Sequence, residues 1–145
     1  MEMHAKNIVH RDIKPDNVLI KSSKKVDLGR KVCLADFGIA CLASDEEQTS
    51  KLCGTPGFID PYMLNIPEYV DPSLQPIRAT VKSDIFSVGS VFYGLLAGRP
   101  LIEGTEIQDL LMKNRDIHLT LDALIDEIPP NFASTHSRDL LRCML

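Results

Sequence analysis

The chain has 145 residues, of which 25% are charged, and its formal net charge is −4. This length corresponds to one domain, and the negative charge argues against a general affinity for nucleic acid. No basic run is longer than Lys24-Lys25, which also argues against recruitment to a membrane surface.

The cysteines and the N-terminus bear on the cellular compartment. The four cysteines form no C-x-x-C pair, which disfavours structural zinc and indicates free thiols in a reducing compartment. The N-terminus shows no charged-then-apolar signal pattern. The apolar run Ile85 to Ala97 is too short to span a bilayer. We therefore expect a cytoplasmic protein with a buried core helix at this run.

The first elements are short. Residues 2–6 are expected to end a helix, with Asn7 as a left-handed cap. The apolar runs 8–9, 18–20 and 32–35 are short, β-branched and bounded by polar residues, so they predict strands. The last two should form a hairpin.

Four polar residues lie in the loops at the ends of these strands. The carboxylate of Asp36 and the amide oxygen of Asn17 are hard oxygen ligands suited to Mg²⁺. Lys14 can neutralise a phosphoryl oxygen, and Asp12 can take a proton from an attacking hydroxyl. This set of groups predicts phosphoryl transfer.

The order of these residues resembles that of a known family. The sequence reads H-R-D-I-K-P-D-N at residues 10–17, D-F-G at 36–38, G-T-P-G-F at 54–58 and S-D-I-F-S-V-G at 83–89. Together these motifs resemble the catalytic loop, metal-binding motif and later segments of eukaryotic Ser/Thr protein kinases. The resemblance covers nearly the whole chain.

The resemblance implies roles for individual residues. Asp12, Lys14, Asn17 and Thr55 would be catalytic, with Asp12 as the base and Thr55 hydrogen-bonded to Asp12 and Lys14. Lys14, Asn17 and Asp36 would bind the cofactors, which are ATP and Mg²⁺, with Asn17 and Asp36 as the metal ligands. The expected partners are ATP and a protein substrate, with no nucleic acid and no membrane.

Three further residues receive supporting roles from the same resemblance. His10 would pack beneath the D-F-G motif without acid–base work, and Asp84 would hold the backbone of the catalytic loop. Arg11 would be regulatory, because its guanidinium can bind a phosphate on the activation segment.

The activation segment departs from the family pattern. Residues 44–50 are polar and acidic, which predicts a mobile stretch. The usual phosphorylated position is Lys51, so we expect an activating phosphate on Thr49 or Ser50 instead. The alternative is that acidic side chains within this stretch occupy Arg11 without modification.

The end of this segment also departs from the family. The sequence Asp60-Pro61-Tyr62 stands where the family has A-P-E, and packing of Tyr62 could replace the missing Glu. Residues 21–30 and 65–81 are polar or proline-rich and are expected to form surface loops.

Helices are predicted for the rest of the chain. Ser83 is the expected N-cap of a helix that is buried nearly all round and ends at 98–100. An amphipathic helix at 104–113, a turn at 121–125 and a helix at 134–145 should follow. The last helix should present an apolar face made of Leu140, Leu141 and Met144.

These expectations define a mainly α fold with a few short β-strands, the C-terminal lobe of the protein-kinase-like fold built around a buried central helix. Residues 1–145 would be a partial kinase domain, because no Gly-rich loop, strand Lys or helix Glu precedes the catalytic loop. We expect the isolated chain to be inactive without the missing N-lobe. One alternative is a pseudokinase-like or truncated binding or scaffold module, and another is a small-molecule phosphotransferase. The docking stretch 54–59 favours a protein acceptor.

Overall fold

The computed structural model describes residues 2–21, 31–65 and 76–145. The predicted loops 21–30 and 65–81 lie mostly outside these residues. The described fold is mainly helical, as predicted, with short strands. The strands are β1 (Ile8–Val9), β2 (Val18–Lys21), β3 (Lys31–Leu34) and β4 (Cys41–Leu42). The helices are α1 (Glu46–Thr49), α2 (Pro61–Leu64), α3 (Val81–Ala97), α4 (Ile107–Arg115), α5 (Leu121–Asp126) and α6 (Thr135–Met144).

The strands form two antiparallel pairs. β1 pairs with β4, with Val9 opposite Cys41, and β2 pairs with β3, with Val18 opposite Leu34. The predicted hairpin is therefore confirmed. Asn7 adopts the predicted left-handed conformation, with a φ of 54°, after a 3₁₀ turn at His4–Lys6.

Helix α3 begins earlier than predicted. Its N-cap is Thr80, whose hydroxyl accepts a hydrogen bond from the Lys82 N–H, while the Ser83 hydroxyl accepts one from the Thr80 N–H. Ser83 therefore closes a capping box three residues into the helix, and its prediction as the N-cap is wrong. Gly98 ends the helix with a φ of 70°, as predicted.

Most of α3 is buried or half-buried, and only Lys82 and Leu95 are exposed. The buried side carries Phe86 and Tyr93 together with small or polar residues such as Ser87 and Ser90. Leu95, which is 78% exposed, is the apolar exception to the predicted burial nearly all round. Small residues on the buried side let loops approach the helix closely, and their hydroxyls bond those loops.

The apolar residues gather in two clusters. The larger cluster joins α3 to the C-terminal elements, and its buried members are Phe86, Tyr93, Leu101, Ile102, Ile117, Ile125, Ile128, Ala133 and Leu141. The smaller one contains Val9, Ile59, Met63 and Ala79. Within the described residues, no helix combines the length and the apolar character needed to cross a bilayer.

The C-terminal helices lie near their predicted positions, but one predicted turn is a helix and one residue of the predicted apolar face is exposed. Residues 121–125, predicted as a turn, lie in the short helix α5. Ser134 is the N-cap of α6, and Leu141 is fully buried. Leu140 is 51% exposed, so its assignment to the apolar face is wrong.

Candidate functional site

A buried carboxylate fixes the backbone of the loop that follows β1. Asp84, near the start of α3, is fully buried and accepts hydrogen bonds from the His10 and Arg11 N–H groups, each at 2.9 Å. Its Oδ2 atom also lies 2.8 Å from Nε2 of His4. Arg11 has a φ of 69°, an unfavourable conformation for a residue with a side chain. The two bonds to Asp84 hold the loop in this conformation, which confirms the role expected for Asp84.

His10 is a structural residue in this loop. It is fully buried, and its ring lies 4.8 Å from that of Phe37, between centroids. The Asp12 N–H can only donate, so Nδ1 of His10 accepts that bond at 3.3 Å and Nε2 carries the proton facing the Ala35 carbonyl at 3.0 Å. Because both ring nitrogens contact backbone groups, His10 supports the loop and the D-F-G motif.

Asp12, Lys14 and Thr55 meet in one triangle. The Thr55 hydroxyl donates to Oδ1 of Asp12 at 2.6 Å, and Nζ of Lys14 donates to the Thr55 hydroxyl at 2.8 Å. The same Nζ lies 3.0 Å from Oδ2 of Asp12. The side chains of Lys14 and Asp12 are 23% and 14% exposed, so they remain accessible from one side.

The surroundings of Asp12 keep its carboxyl ionised. Burial by itself would raise the pKa of Asp12. The pKa of Asp12 is nevertheless below its usual value, because other effects outweigh burial. These effects are hydrogen bonds from Thr55, Lys14 and Asn17 and the positive charge of Lys14. Asp12 is therefore ionised at neutral pH, and its carboxylate is held in place by these hydrogen bonds.

Asn17 directly precedes β2 and Asp36 follows β3, so both lie at the same end of the hairpin. The Ala35 N–H donates to the Asn17 carbonyl at 2.9 Å, which places Asp36 beside this turn. The amide nitrogen of Asn17 donates to the carbonyl and to Oδ2 of Asp12, at 2.8 and 3.3 Å. Asp36 is exposed and has a φ of 57°.

These two residues fit a magnesium ion that is shared with a phosphate ligand. The amide nitrogen of Asn17 faces Asp12, so its amide oxygen is the atom that would meet a cation. Among the described residues, no group of three or more His, Cys, Asp or Glu side chains could hold a metal. One carboxylate and one amide suit Mg²⁺, which keeps several waters and relies on substrate phosphates.

Arg11 binds backbone carbonyls of the activation segment. Its Nε donates to the Ile39 carbonyl at 2.7 Å, and Nη1 contacts the Gln48 carbonyl. The alternative that acidic side chains occupy Arg11 is therefore wrong.

The acidic stretch has partners of its own. Asp45 caps α1 by accepting a hydrogen bond from the Gln48 N–H at 3.0 Å. Glu46 pairs with Arg78 at 2.6 Å, and Glu47 pairs with Lys51 at 2.9 Å. Residues 44–50, predicted to be mobile, include the helical turn α1, which this cap and these ion pairs support.

The two predicted phosphate acceptors differ in accessibility. Thr49 is 1% exposed, and its hydroxyl donates to the Asp45 carbonyl at 2.8 Å. Its burial counts against phosphorylation of Thr49 in this conformation. Ser50 is exposed, with its hydroxyl on the Glu47 carbonyl at 3.0 Å.

Tyr62 does not replace the missing Glu of the A-P-E motif by packing. Tyr62 is 60% exposed, so its packing does not substitute for a buried Glu. Asp60 instead accepts bonds from the Tyr62 N–H and the Ser83 hydroxyl, both at 2.9 Å. This carboxylate ties the end of the activation segment to α3.

Sequence reasoning missed a second set of polar residues near Thr55. Ser87, Ser90 and Asn114 are buried and bond the backbone of residues 57–59. The sequence does contain one indication of this set. Asn114 follows Leu110 and Leu111 at helical spacing, so a polar amide lies on an otherwise apolar helix face.

Comparisons with known proteins complete this picture. The family described as Protein kinase domain matches residues 1–145. A calcium/calmodulin-dependent protein kinase type II of Caenorhabditis elegans is 40% identical over 97 residues, covering 67% of this chain and 12% of the relative.

Two further relatives show the same pattern of coverage. The serine/threonine-protein kinase plk-1 of Caenorhabditis elegans is 29% identical over 143 residues, covering 99% of this chain and 18% of the relative. A phosphorylase b kinase gamma catalytic chain, liver/testis isoform, of Homo sapiens is 37% identical, covering 68% and 22% of the two chains. The chain therefore spans less than a quarter of the length of each of these relatives.

Proposed function

Because this chain belongs to the protein kinase domain family, we propose that it supplies the catalytic loop of a Ser/Thr protein kinase that transfers the γ-phosphoryl group of ATP to protein hydroxyls. The triangle of Asp12, Lys14 and Thr55 is the observation that carries this proposal. It brings a carboxylate, an ammonium and a hydroxyl within 3.0 Å of one another. All three types of group are needed where a hydroxyl is deprotonated beside a phosphate.

Each residue of the triangle has a distinct part in the proposed reaction. Asp12 orients the substrate hydroxyl and accepts its proton as the oxygen bonds to the γ-phosphorus and the bond to the bridging oxygen of ADP breaks. Lys14 stabilises the negative charge on the phosphoryl oxygens. Thr55 holds the Asp12 carboxylate in one orientation and links it to the loop proposed to receive the substrate.

Asn17 and Asp36 would hold magnesium in this enzyme. Mg²⁺, when bound, supplies charge neutralisation at the phosphates. Asn17 has a second task, because its amide nitrogen fixes Oδ2 of Asp12 at 3.3 Å. The same side chain would therefore position the base and present an oxygen to the metal.

The test requires a two-lobe protein, since phosphoryl transfer depends on positioning of ATP from both sides. We expect no measurable turnover from the 145-residue chain alone. When the chain is joined to a kinase N-lobe, transfer of ³²P from ATP to a protein substrate should appear. In that protein, Asp12→Asn should lower kcat by at least about 10²-fold, the low end for loss of a general base.

Asp16→Asn is the matched control, because Asp16 is an exposed aspartate of the same loop. It should leave kcat unchanged. A two-lobe protein with no turnover at all, or with turnover unaffected by Asp12→Asn, would instead favour the binding or scaffold module.

A further inference from the structure

Asn114 is a fully buried amide on an amphipathic helix. It lies near the end of α4, three and four residues after Leu111 and Leu110, both of which pack against the apolar clusters. A buried amide without hydrogen-bond partners is costly, so a polar residue at such a position requires specific contacts.

Both ends of this amide bond the backbone of one loop. Oδ1 of Asn114 accepts a hydrogen bond from the Gly57 N–H at 2.8 Å, and Nδ2 donates to the Ile59 carbonyl at 2.7 Å. An N–H can only donate and a carbonyl can only accept, so these partners settle the orientation of the amide.

Two serines of α3 hold the same loop from the other side. The Ser90 hydroxyl donates to the Gly57 carbonyl at 2.9 Å, and the Ser87 hydroxyl donates to the Phe58 carbonyl at 2.7 Å. Four backbone groups of residues 57–59 are thus bonded by three buried side chains.

The held loop leads directly to Thr55. The Phe58 N–H donates to the Thr55 carbonyl at 3.0 Å, closing a turn between the two residues. Thr55 in turn reaches Asp12 through a hydroxyl bond of 2.6 Å. Such a bond weakens steeply with distance and angle, so a small displacement of the turn would break it.

We propose that Asn114 and Ser90 are positioning residues, which hold residues 57–59 so that Thr55 meets the Asp12 carboxylate. Neither residue touches the reacting groups. The proposal deepens the proposed function and rests on it for its catalytic meaning, but the contact between Thr55 and Asp12 can be measured without any turnover.

The experiment follows the carboxyl ¹³C resonance of Asp12 during an acid titration of the 145-residue chain. Asn114→Leu removes both amide bonds with little change in volume, and Ser90→Ala removes one hydroxyl bond. Thr55→Val is the reference, because it removes the bond to Asp12 itself. Ile125→Val is the control, since it weakens the larger cluster without touching the loop.

The pKa of Asp12 should rise in Thr55→Val, in Asn114→Leu and in Ser90→Ala, and stay unchanged in Ile125→Val. Exchange of the Gly57 amide hydrogen should be at least about tenfold faster in Asn114→Leu. If Asn114→Leu does not fold, the pKa of Asp12 in Ser90→Ala tests the proposal by itself.

An unchanged pKa of Asp12 in the positioning variants, or a rise in Ile125→Val as large as theirs, would overturn the proposal. An unchanged pKa of Asp12 in Thr55→Val would also overturn it, because the Thr55 hydroxyl would then have no effect on the Asp12 carboxylate. None of these results depends on ATP, so they are distinct from a failure of the proposed function.

Discussion

Asp12 keeps its charge because Thr55, Lys14 and Asn17 all donate hydrogen bonds to its carboxylate. These bonds, together with the Lys14 charge, outweigh the effect of burial and lower the pKa of Asp12. A carboxylate whose pKa is lowered is a weaker base in the resting site than a free aspartate. Its proposed function as a base therefore depends on placement against the substrate hydroxyl.

The lowered pKa of Asp12 also makes the free energy of unfolding depend on pH. The folded-state pKa of Asp12 lies below the value of about 3.9 for a free aspartate. The stabilising contribution of this carboxylate is therefore fully present above about pH 3.9, and it is lost as pH falls through the folded-state pKa.

Thr55→Val should reduce this acid-dependent part of the stability, because it removes the bond to Oδ1 of Asp12. Urea unfolding at several pH values below about 5 measures the effect. The difference between wild type and Thr55→Val should shrink as Asp12 becomes protonated. Thr105→Val, at an exposed threonine, should show no such pH dependence. A constant difference at every pH would contradict the prediction.

At the scale of elements, the activation segment is held by contacts at its start and in its middle. Arg11 bonds the Ile39 and Gln48 carbonyls, and the Ala79 N–H donates to the Thr49 carbonyl at 2.8 Å. Gly54 then brings the chain back against the Arg11 backbone. These contacts tie the segment to the loop that carries Asp12 and to the residues before α3.

The buried hydroxyl of Thr49 should contribute to stability while that of Ser50 should not. Thr49→Val removes a hydrogen bond in a closed site and should lower the free energy of unfolding by about 1 kcal/mol. Ser50→Ala is a surface change and should stay within about 0.5 kcal/mol of wild type. Urea denaturation measures both. Equal losses in the two variants would show that the burial of Thr49 has no energetic consequence.

Gly54 is the position where the segment is most sensitive to an added methyl group. Its φ is +111°, and a Cβ there would lie 2.7 Å from the Arg11 carbonyl oxygen. Gly98 has a φ of +70° with nothing within 4 Å of a Cβ. Gly98→Ala should cost about 1–2 kcal/mol of conformational strain, and Gly54→Ala should cost more because backbone must also move.

Thermal unfolding of the two glycine variants provides the comparison. Gly54→Ala should have the lower melting temperature of the two, and it alone should raise the pKa of Asp12, since Thr55 follows Gly54 directly. A melting temperature of Gly54→Ala at or above that of Gly98→Ala would contradict the predicted clash.

At the scale of the whole molecule, the candidate site is assembled from distant segments around α3. Asp84 holds the loop that carries Asp12, and Ser90 holds the loop that carries Thr55. Val88 and Val91, one and two turns after Asp84 in α3, line a cavity of about 590 Å³ with residues of the β2–β3 hairpin. One helix therefore anchors both loops of the candidate site and also lines an apolar cavity.

The few metal ligands of this site should make magnesium binding depend on nucleotide. Isothermal titration of the chain with Mg²⁺ alone should show no strong site, because Asp36 and Asn17 offer one charge between them. In a two-lobe protein, Mg²⁺ should bind with ATP present, and Asp36→Asn should weaken it by about tenfold or more. Asp16→Asn is again the control. Tight binding of Mg²⁺ without nucleotide would contradict the assignment.

The sequence by itself determined the identity and order of the candidate residues, the β2–β3 hairpin and the end of α3 at Gly98. Those features depend on neighbours a few positions away, since alternation, turn residues and motif spacing are local properties.

Only the tertiary structure decided which partners Arg11 binds, that Thr49 is buried, and that Asn114 bonds the loop before α2. These contacts join residues far apart in the chain: Arg11 and Gln48 are separated by 37 positions, and Gly57 and Asn114 by 57. A hydrogen bond over such a separation depends on how whole elements pack, and no local pattern of residues encodes that packing.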